Sequence, residues 1–262
     1  TTCHELHDLY ANIMNVPSSW ILSGNGSDQM LGFLIQYYGQ GNKTLYTLAP
    51  DFSMYDYYVE LNHAKIEKFE TSLDGSFDVD AFISNGKDKK VDMILFSNPN
   101  NPTGILTEKE LILRVLERAK ETNTFVMADE CFLEICQNES EYTVKPFIEK
   151  YENLIILKSF TKLYAIPGVR LGYILAGSED VIAKVNRTGQ AWSVSHIAQC
   201  AGVAALSDNV YKERVIETVA EELSYMKKEF FKLPVILYDG AANYLFFQTP
   251  GITDLDRRLE SY

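Results

Sequence analysis

The chain has 262 residues, 46% of them hydrophobic and 23% charged, with a formal net charge of −12. That balance fits a globular protein of one large domain, or one domain and a piece of another, and a charge so negative argues against nucleic acid or an anionic membrane as partner. No apolar run approaches the roughly 18 residues of a membrane span.

Residues 5–14 read as a helix. His4 and His7 could supply two metal ligands, but no carboxylate or cysteine cluster accompanies them, and no metal site is expected. The turn Ser23-Gly24-Asn25-Gly26-Ser27-Asp28 precedes a helix over 29–38. Its glycines free the backbone, and Ser27 or Asp28 can cap the helix. Exposed amides at such a helix start would hold a phosphate; a plain capped turn is the simpler reading.

Residues 43–48 and 64–69 read as strands. Between them, 50–61 is a helix candidate carrying Phe52, Tyr55, Tyr57 and Tyr58. Residues 91–96 are nearly all apolar, as a strand buried on both faces should be, and 124–128, 154–157 and 171–176 follow the same pattern. The first of these runs into Ser97-Asn98-Pro99-Asn100-Asn101-Pro102-Thr103-Gly104, where prolines and asparagines stiffen a turn at the strand's end. Thr107 and Glu110 have the spacing of a capping box, followed by Leu111, Ile112, Val115, Leu116 and Ala119 on one helical face.

Asp129-Glu130 ends the strand at 124–128. An acid at that place is poorly solvated unless partnered. A protonated pyridine nitrogen would be one partner; a cap on the following turn is the plainer alternative. Lys162 lies in Ser159-Phe160-Thr161-Lys162, with Arg170 eight positions on. An amine that attacks an aldehyde needs a partly dry pocket, and a phosphate beside it needs hydroxyls and an arginine fork. This run offers both, a combination that suits pyridoxal phosphate.

A long helix is expected over 208–231, with Val215, Val219, Leu223, Met226 and Phe230 on one stripe. Two short strands follow at 235–238 and 243–248, then a helix from about 253. Residues 1–230 thus read as a large cofactor-binding domain, and 231–262 as the start of a small, incomplete C-terminal one. The chain opens without methionine and stops at Tyr262 inside a helix-like segment, so a fragment is expected. Cys3, Cys131, Cys136 and Cys200 form no CxxC pair and read as reduced thiols of a cytoplasmic protein. Strands alternating with helices imply an α/β fold, a mostly parallel sheet sandwiched by helices, with ligands outside the carboxyl ends of the strands.

Four segments follow in fixed order: the turn at Gly26, the turn at Asn101, Asp129 and Lys162. In order and spacing the chain resembles the class I/II aminotransferases, pyridoxal-phosphate enzymes of fold type I, over about residues 24–247. Within them it looks nearest the histidinol-phosphate aminotransferases and threonine-phosphate decarboxylases. The resemblance implies that Lys162 holds the cofactor as a Schiff base and moves the proton, that Asp129 pairs with the ring nitrogen, and that Asn101 bonds the ring's phenolic oxygen. The phosphate falls to Gly26, Ser27, Asp28, Ser159, Thr161 and Arg170, and Phe52 stacks on the ring. Phe132 stands where relatives carry tyrosine. The missing donor implies a Schiff base that stays protonated to higher pH.

The resemblance also implies transfer of an amino group between an amino acid and a 2-oxo acid, in a homodimer. A decarboxylase or lyase on the same scaffold, or a non-catalytic incomplete domain, are the alternatives. The family's substrate-carboxylate arginine falls beyond position 262, and a tyrosine that reaches the partner's cofactor phosphate falls before Thr1.

Overall fold

The structure is a computed structural model that describes residues 3–72 and 74–260. Its elements in chain order are α1 (His4–Met14), β1 (Ile21–Gly24), α2 (Ser27–Tyr38), β2 (Thr44–Ala49), α3 (Met54–Leu61), β3 (Lys65–Glu70), α4 (Val79–Asp88), β4 (Met93–Ser97), α5 (Lys109–Glu121) and β5 (Phe125–Asp129). There follow α6 (Glu139–Tyr142), β6 (Leu154–Ser159), α7 (Phe160–Leu163), β7 (Gly172–Ala176), α8 (Glu179–Asn186), α9 (His196–Leu206) and α10 (Asn209–Phe230), then β8 (Ile236–Tyr238), β9 (Phe246–Gln248) and α11 (Leu255–Leu259).

Seven strands form one sheet in the order β1-β7-β6-β5-β4-β2-β3. β2 to β6 pair in parallel, while β7 is antiparallel to both β6 and β1, so β1 shares the direction of the rest. The carboxyl ends of β1, β2, β4, β5 and β6 therefore share one edge, which is where the fold builds its site.

Both faces of the sheet are covered. On one, Leu6 and Tyr10 of α1, Phe82 of α4, Val115 and Leu116 of α5 and Ala198 of α9 pack on Ile94, Ala128, Ile156 and Tyr173. On the other, Leu31 and Leu34 of α2, Tyr55 and Val59 of α3 and Val185 of α8 pack on Leu95, Met127, Leu157 and Ile174. Alternate strand residues supply the two cores, because successive side chains point to opposite faces. Burial on both faces is why the β4 and β6 sequences are almost unbroken apolar runs.

The mostly parallel α/β sandwich agrees with the expectation from sequence. Several details differ. The helix expected over 50–61 begins only at Met54, because Asp51 turns its carboxylate toward β4 rather than into a helical turn. The Thr107–Glu110 capping box does not form: α5 starts at Lys109 with no side-chain cap, since Thr107 N–H donates to Asn98 Oδ1 at 2.9 Å and Thr107 is tied to the turn instead. α2 also lacks a side-chain cap from Ser27 or Asp28. β1, α4, α8 and α9 are elements that the pattern did not signal. The α10 stripe is less covered than its periodicity implies, for no residue of α10 is buried and Met226 is exposed. β8 and β9 pair as a separate two-stranded sheet. Of the helix expected from 253, the described part is Leu255–Leu259, and residues 261 and 262 lie outside the described residues.

Candidate active site

A cavity of about 160 Å³ opens at the shared strand edge. Its walls include Ser27 and Asp28 from α2, Phe52, Ser97 and Asn101 from the ends of β2 and β4, Asp129, Cys131 and Phe132 after β5, and Thr161, Lys162 and Arg170 after β6. The expected site residues thus converge, although they are drawn from five segments far apart in sequence. Gly26 and Ser159 are not part of the wall, but each adjoins a residue that is, Gly26 beside Arg170 and Ser159 beside Thr161.

Lys162 sits on the short α7. Ser159 caps this helix by accepting from Thr161 N–H at 3.2 Å, and the two hydroxyls of Ser159 and Thr161 lie 2.7 Å apart. Lys162 Nζ lies 4.5 Å from the centroid of the Phe132 ring. A cation over that face gains roughly 0.5–2 kcal/mol, depending on solvation. The residue is exposed at the cavity mouth, not set in the partly dry surroundings expected of it.

Asp129 closes the floor and is 7% exposed. Its Oδ1 accepts from Cys131 N–H at 3.0 Å, as the plainer turn-capping reading required, and its Oδ2 accepts from the Tyr55 hydroxyl at 3.2 Å. Burial raises its pKa above that of an ordinary aspartate, against the pull of the Cys131 and Tyr55 bonds and the Lys162 charge. A carboxyl in that condition is matched to a cationic ring nitrogen, whose charge would restore the ionised form.

The other end of the cavity is positive. Gly26 takes φ 87°, and a Cβ there would meet Arg170 Nη2 at 2.6 Å. Gly172 approaches Ser27 so closely that a Cβ would fall 2.2 Å from Ser27 N. The approach to the Ser27 backbone requires glycine at 172, and the positive φ favours glycine at 26. Together they bring the start of α2 against Arg170, whose own backbone lies in the left-handed region at φ 59°. Arg170 Nη1 donates to Pro167 O at 3.1 Å, and among the described residues the guanidinium forms no ion pair. The Asp28 carboxylate is held by the Tyr58 hydroxyl, which donates to it at 2.8 Å. An uncapped helix start, two hydroxyls and an arginine fork make a set of donors suited to a phosphate.

Asn101 N–H donates to Ser97 Oγ at 2.9 Å, and its carboxamide bonds to no other described residue. The side chain is therefore available to the cavity. Phe52 forms an aromatic wall and meets Tyr55 edge-on at 5.7 Å. Phe132 meets Tyr244 edge-on at 5.3 Å, while the Tyr244 hydroxyl donates to Asn100 O at 3.0 Å. Sequence reasoning missed the roles of Tyr55, Cys131 and Tyr244. Tyr55 had a signal, since it lies in the aromatic run of Phe52, Tyr55, Tyr57 and Tyr58 and is the fully buried member of it. Tyr244 had none, because its contact with the Asn100 turn spans 144 positions.

The arrangement is an amine, a buried acid and an anion cradle around a slot with an aromatic wall. The chain is 27% identical over 256 residues to the histidinol-phosphate aminotransferase of Clostridium novyi (strain NT), covering 97% of this chain and 70% of that one. It is 29% identical to the threonine-phosphate decarboxylase of Salmonella typhimurium (strain LT2), covering 97% and 69%. The fold matches the crystal structure of the Sinorhizobium meliloti histidinol-phosphate aminotransferase in complex with pyridoxal-5'-phosphate, with a TM-score of 0.88 at 20% identity, over 95% of this chain and 67% of that one. The family model described as aminotransferase class I and II matches residues 2–251, and the chain belongs to that family.

Proposed function

We propose that the cavity holds pyridoxal phosphate on Lys162 and that the protein is a histidinol-phosphate-type aminotransferase, exchanging an amino group between an amino acid and a 2-oxo acid. The observation that supports this reading is that Lys162, Asp129 and Arg170 line one cavity. The cofactor, when bound, supplies an electron sink for the bonds around the substrate's α-carbon. Lys162 would attach it and carry the proton between substrate and cofactor carbons. Asp129 would hold the ring-nitrogen proton. Asn101 would bond the phenolic oxygen, and Phe52 would cover the ring. Ser27, Asp28, Thr161 and Arg170 would hold the phosphate, with Asp28 acting through its backbone amide, and Gly26 and Ser159 would shape that cradle.

Residues 1–230 would form the cofactor-binding domain, with the β8–β9 unit opening a second, smaller one. The resemblance to dimeric family members supports a homodimer, which sedimentation at twice the chain mass tests. Four free cysteines suit a reducing, cytoplasmic setting. Among the described residues no helix is long and apolar enough to cross a membrane.

The purified protein mixed with pyridoxal phosphate should gain a visible absorbance band that borohydride abolishes, with the label on Lys162. A protein that stays colourless, or a label elsewhere, overturns the reading. A decarboxylase is the second reading, favoured by the Salmonella relative. Incubation with an amino acid separates the two: transamination leaves the cofactor as its amine and releases a 2-oxo acid, whereas decarboxylation releases carbon dioxide and returns the aldehyde.

A further inference from the structure

Asp51 has no part in the site as described so far. It follows β2 at the strand edge, and its carboxylate joins three segments. Oδ1 accepts from Phe52 N–H at 2.8 Å and from the Ser97 hydroxyl. Oδ2 accepts from the Thr47 hydroxyl at 3.2 Å and from Ser97 N–H at 3.3 Å. An ionised carboxylate accepts at about four lone-pair sites and donates nothing, so four donors match it. Ser97 gives its hydroxyl proton to Asp51 and accepts the Asn101 N–H with its own oxygen. Phe52, Ser97 and Asn101 all line the cavity.

We infer that Asp51 is a positioning residue of the cofactor pocket: through Ser97 it sets the Asn101 turn, and through the Phe52 amide it sets the aromatic wall. The inference rests on the cofactor reading above and extends it, because one carboxylate behind the pocket then fixes both the edge contact and the face contact of the ring. It acts through Ser97 and Phe52 and lies outside the cavity lining.

The ionised form is the one that positions. A protonated Asp51 loses its charge and one of its acceptor sites, so the Ser97 hydroxyl is held less firmly beneath the Asn101 amide. Burial pushes Asp51 up to about 7, with the Asp129 charge adding to it and the Ser97 and Phe52 donors opposing. The titratable groups that face it are Asp129 at the end of β5, Tyr55 on α3 and Tyr244. Asn101 is thus held most firmly above about pH 7.

The test uses Asp51→Asn and Ser97→Ala beside the parent. Losing the hydrogen bonds to a charged acceptor should speed amide exchange at Asn101 about tenfold or more in the cofactor-free protein. In Asp51→Asn the dissociation constant for pyridoxal phosphate should rise about tenfold at about pH 8 and by much less at about pH 6, where the parent's own carboxyl is protonated. Ser97→Ala removes the Asn101 acceptor itself and marks the full loss; if Asp51→Asn does not fold, protection of the Asn101 amide in the parent, relative to intrinsic exchange, should rise above about pH 7 and stay flat in Ser97→Ala. Unchanged exchange at Asn101 in the folded variants overturns the inference. So does an affinity loss of equal size at both pH values, which marks a merely structural role. A parent that binds no pyridoxal phosphate overturns the cofactor reading, while exchange at Asn101 still decides whether Asp51 sets the turn.

Discussion

At the scale of the residue, Phe132 is the departure with the clearest chemical consequence. Its ring faces the Lys162 amine and is braced by Tyr244, but it cannot donate a hydrogen bond. The Tyr244 hydroxyl does not replace the donor, since it is bonded to the Asn100 carbonyl. On the proposed reading Asn101 would then be the side-chain donor to a phenolic oxygen in this pocket. A hydrogen bond to the charged form of an oxygen lowers its basicity, so restoring one should shift the cofactor's titration downward. Phe132→Tyr should move the pH midpoint of the bound cofactor's visible band down by about one unit, the equivalent of roughly 1.4 kcal/mol. An unmoved or raised midpoint would sink the argument.

At the scale of the element, the buried charges behind the site tie strands to helices. Lys158 on β6 is 1% exposed, and its Nζ lies 3.0 Å from Glu130 Oε2 and 3.3 Å from Glu139 Oε1. Glu130 also accepts from the Thr143 hydroxyl and Val144 N–H, each at 2.8 Å. Lys212 on α10 reaches Glu139 at 3.6 Å. Burial works against the Lys158 ammonium, yet Glu130, Glu134 and Glu139 hold its pKa above that of an ordinary lysine. Removing one member of such a pair leaves a charge buried without compensation, which costs about 3–5 kcal/mol. Lys158→Met should therefore lower the unfolding free energy by about that amount, measured by urea denaturation. A loss under about 1 kcal/mol would show that water or a shifted lysine replaces the ammonium.

This network also marks how far the sequence could be read. Lys158 stands in an apolar run, Leu154–Ser159, that looked like a plain buried strand, and nothing local says that its partners come from residues 130 and 139. The strands of the sheet centre were legible because burial on both faces leaves apolar runs, and the ordered motifs named the site before its walls were assembled. Asp129 and Lys162 were legible because each follows such a run. The capping box failed because Thr107 had a stronger tertiary partner in Asn98. β1 is four residues long and carries no alternation, so it could be recognised only from its pairing with β7. Local pattern reports what a segment buries; it does not report which distant atom claims its polar groups.

At the scale of the whole molecule, the groups displaced from their ordinary pKa values oppose one another. Asp51 is pushed up to about 7, and Asp129 and Glu134 are raised as well, all three chiefly by burial. His7, packed with its Nε2 2.9 Å from Ser23 Oγ, is pushed down to about 4 by burial, with His4 adding and Asp8 opposing. A carboxyl with a raised pKa binds more protons folded than unfolded. Its contribution to stability is complete below the unfolded value of 3.8 and is lost as pH climbs toward about 7 for Asp51. His7 binds fewer protons folded, so its contribution is complete above 6.5 and is lost as pH falls toward about 4. Each group changes stability by about 1.4 kcal/mol per pH unit inside its window. Asp51 and His7 therefore nearly cancel between 4 and 6.5, while Asp129 and Glu134, both raised by burial, add contributions that weaken as the pH rises above their unfolded values. Urea midpoints of the cofactor-free protein should fall as the pH is raised through that window. His7→Gln removes the opposing contribution, and the fall should steepen by about 1.4 kcal/mol per unit, with no change in slope above 6.5. Asp51→Asn should flatten the profile up to about 7. If the His7 variant and the parent run parallel through the window, His7 titrates alike in the folded and unfolded chains, and its half-buried place beside Ser23 carries no electrostatic cost.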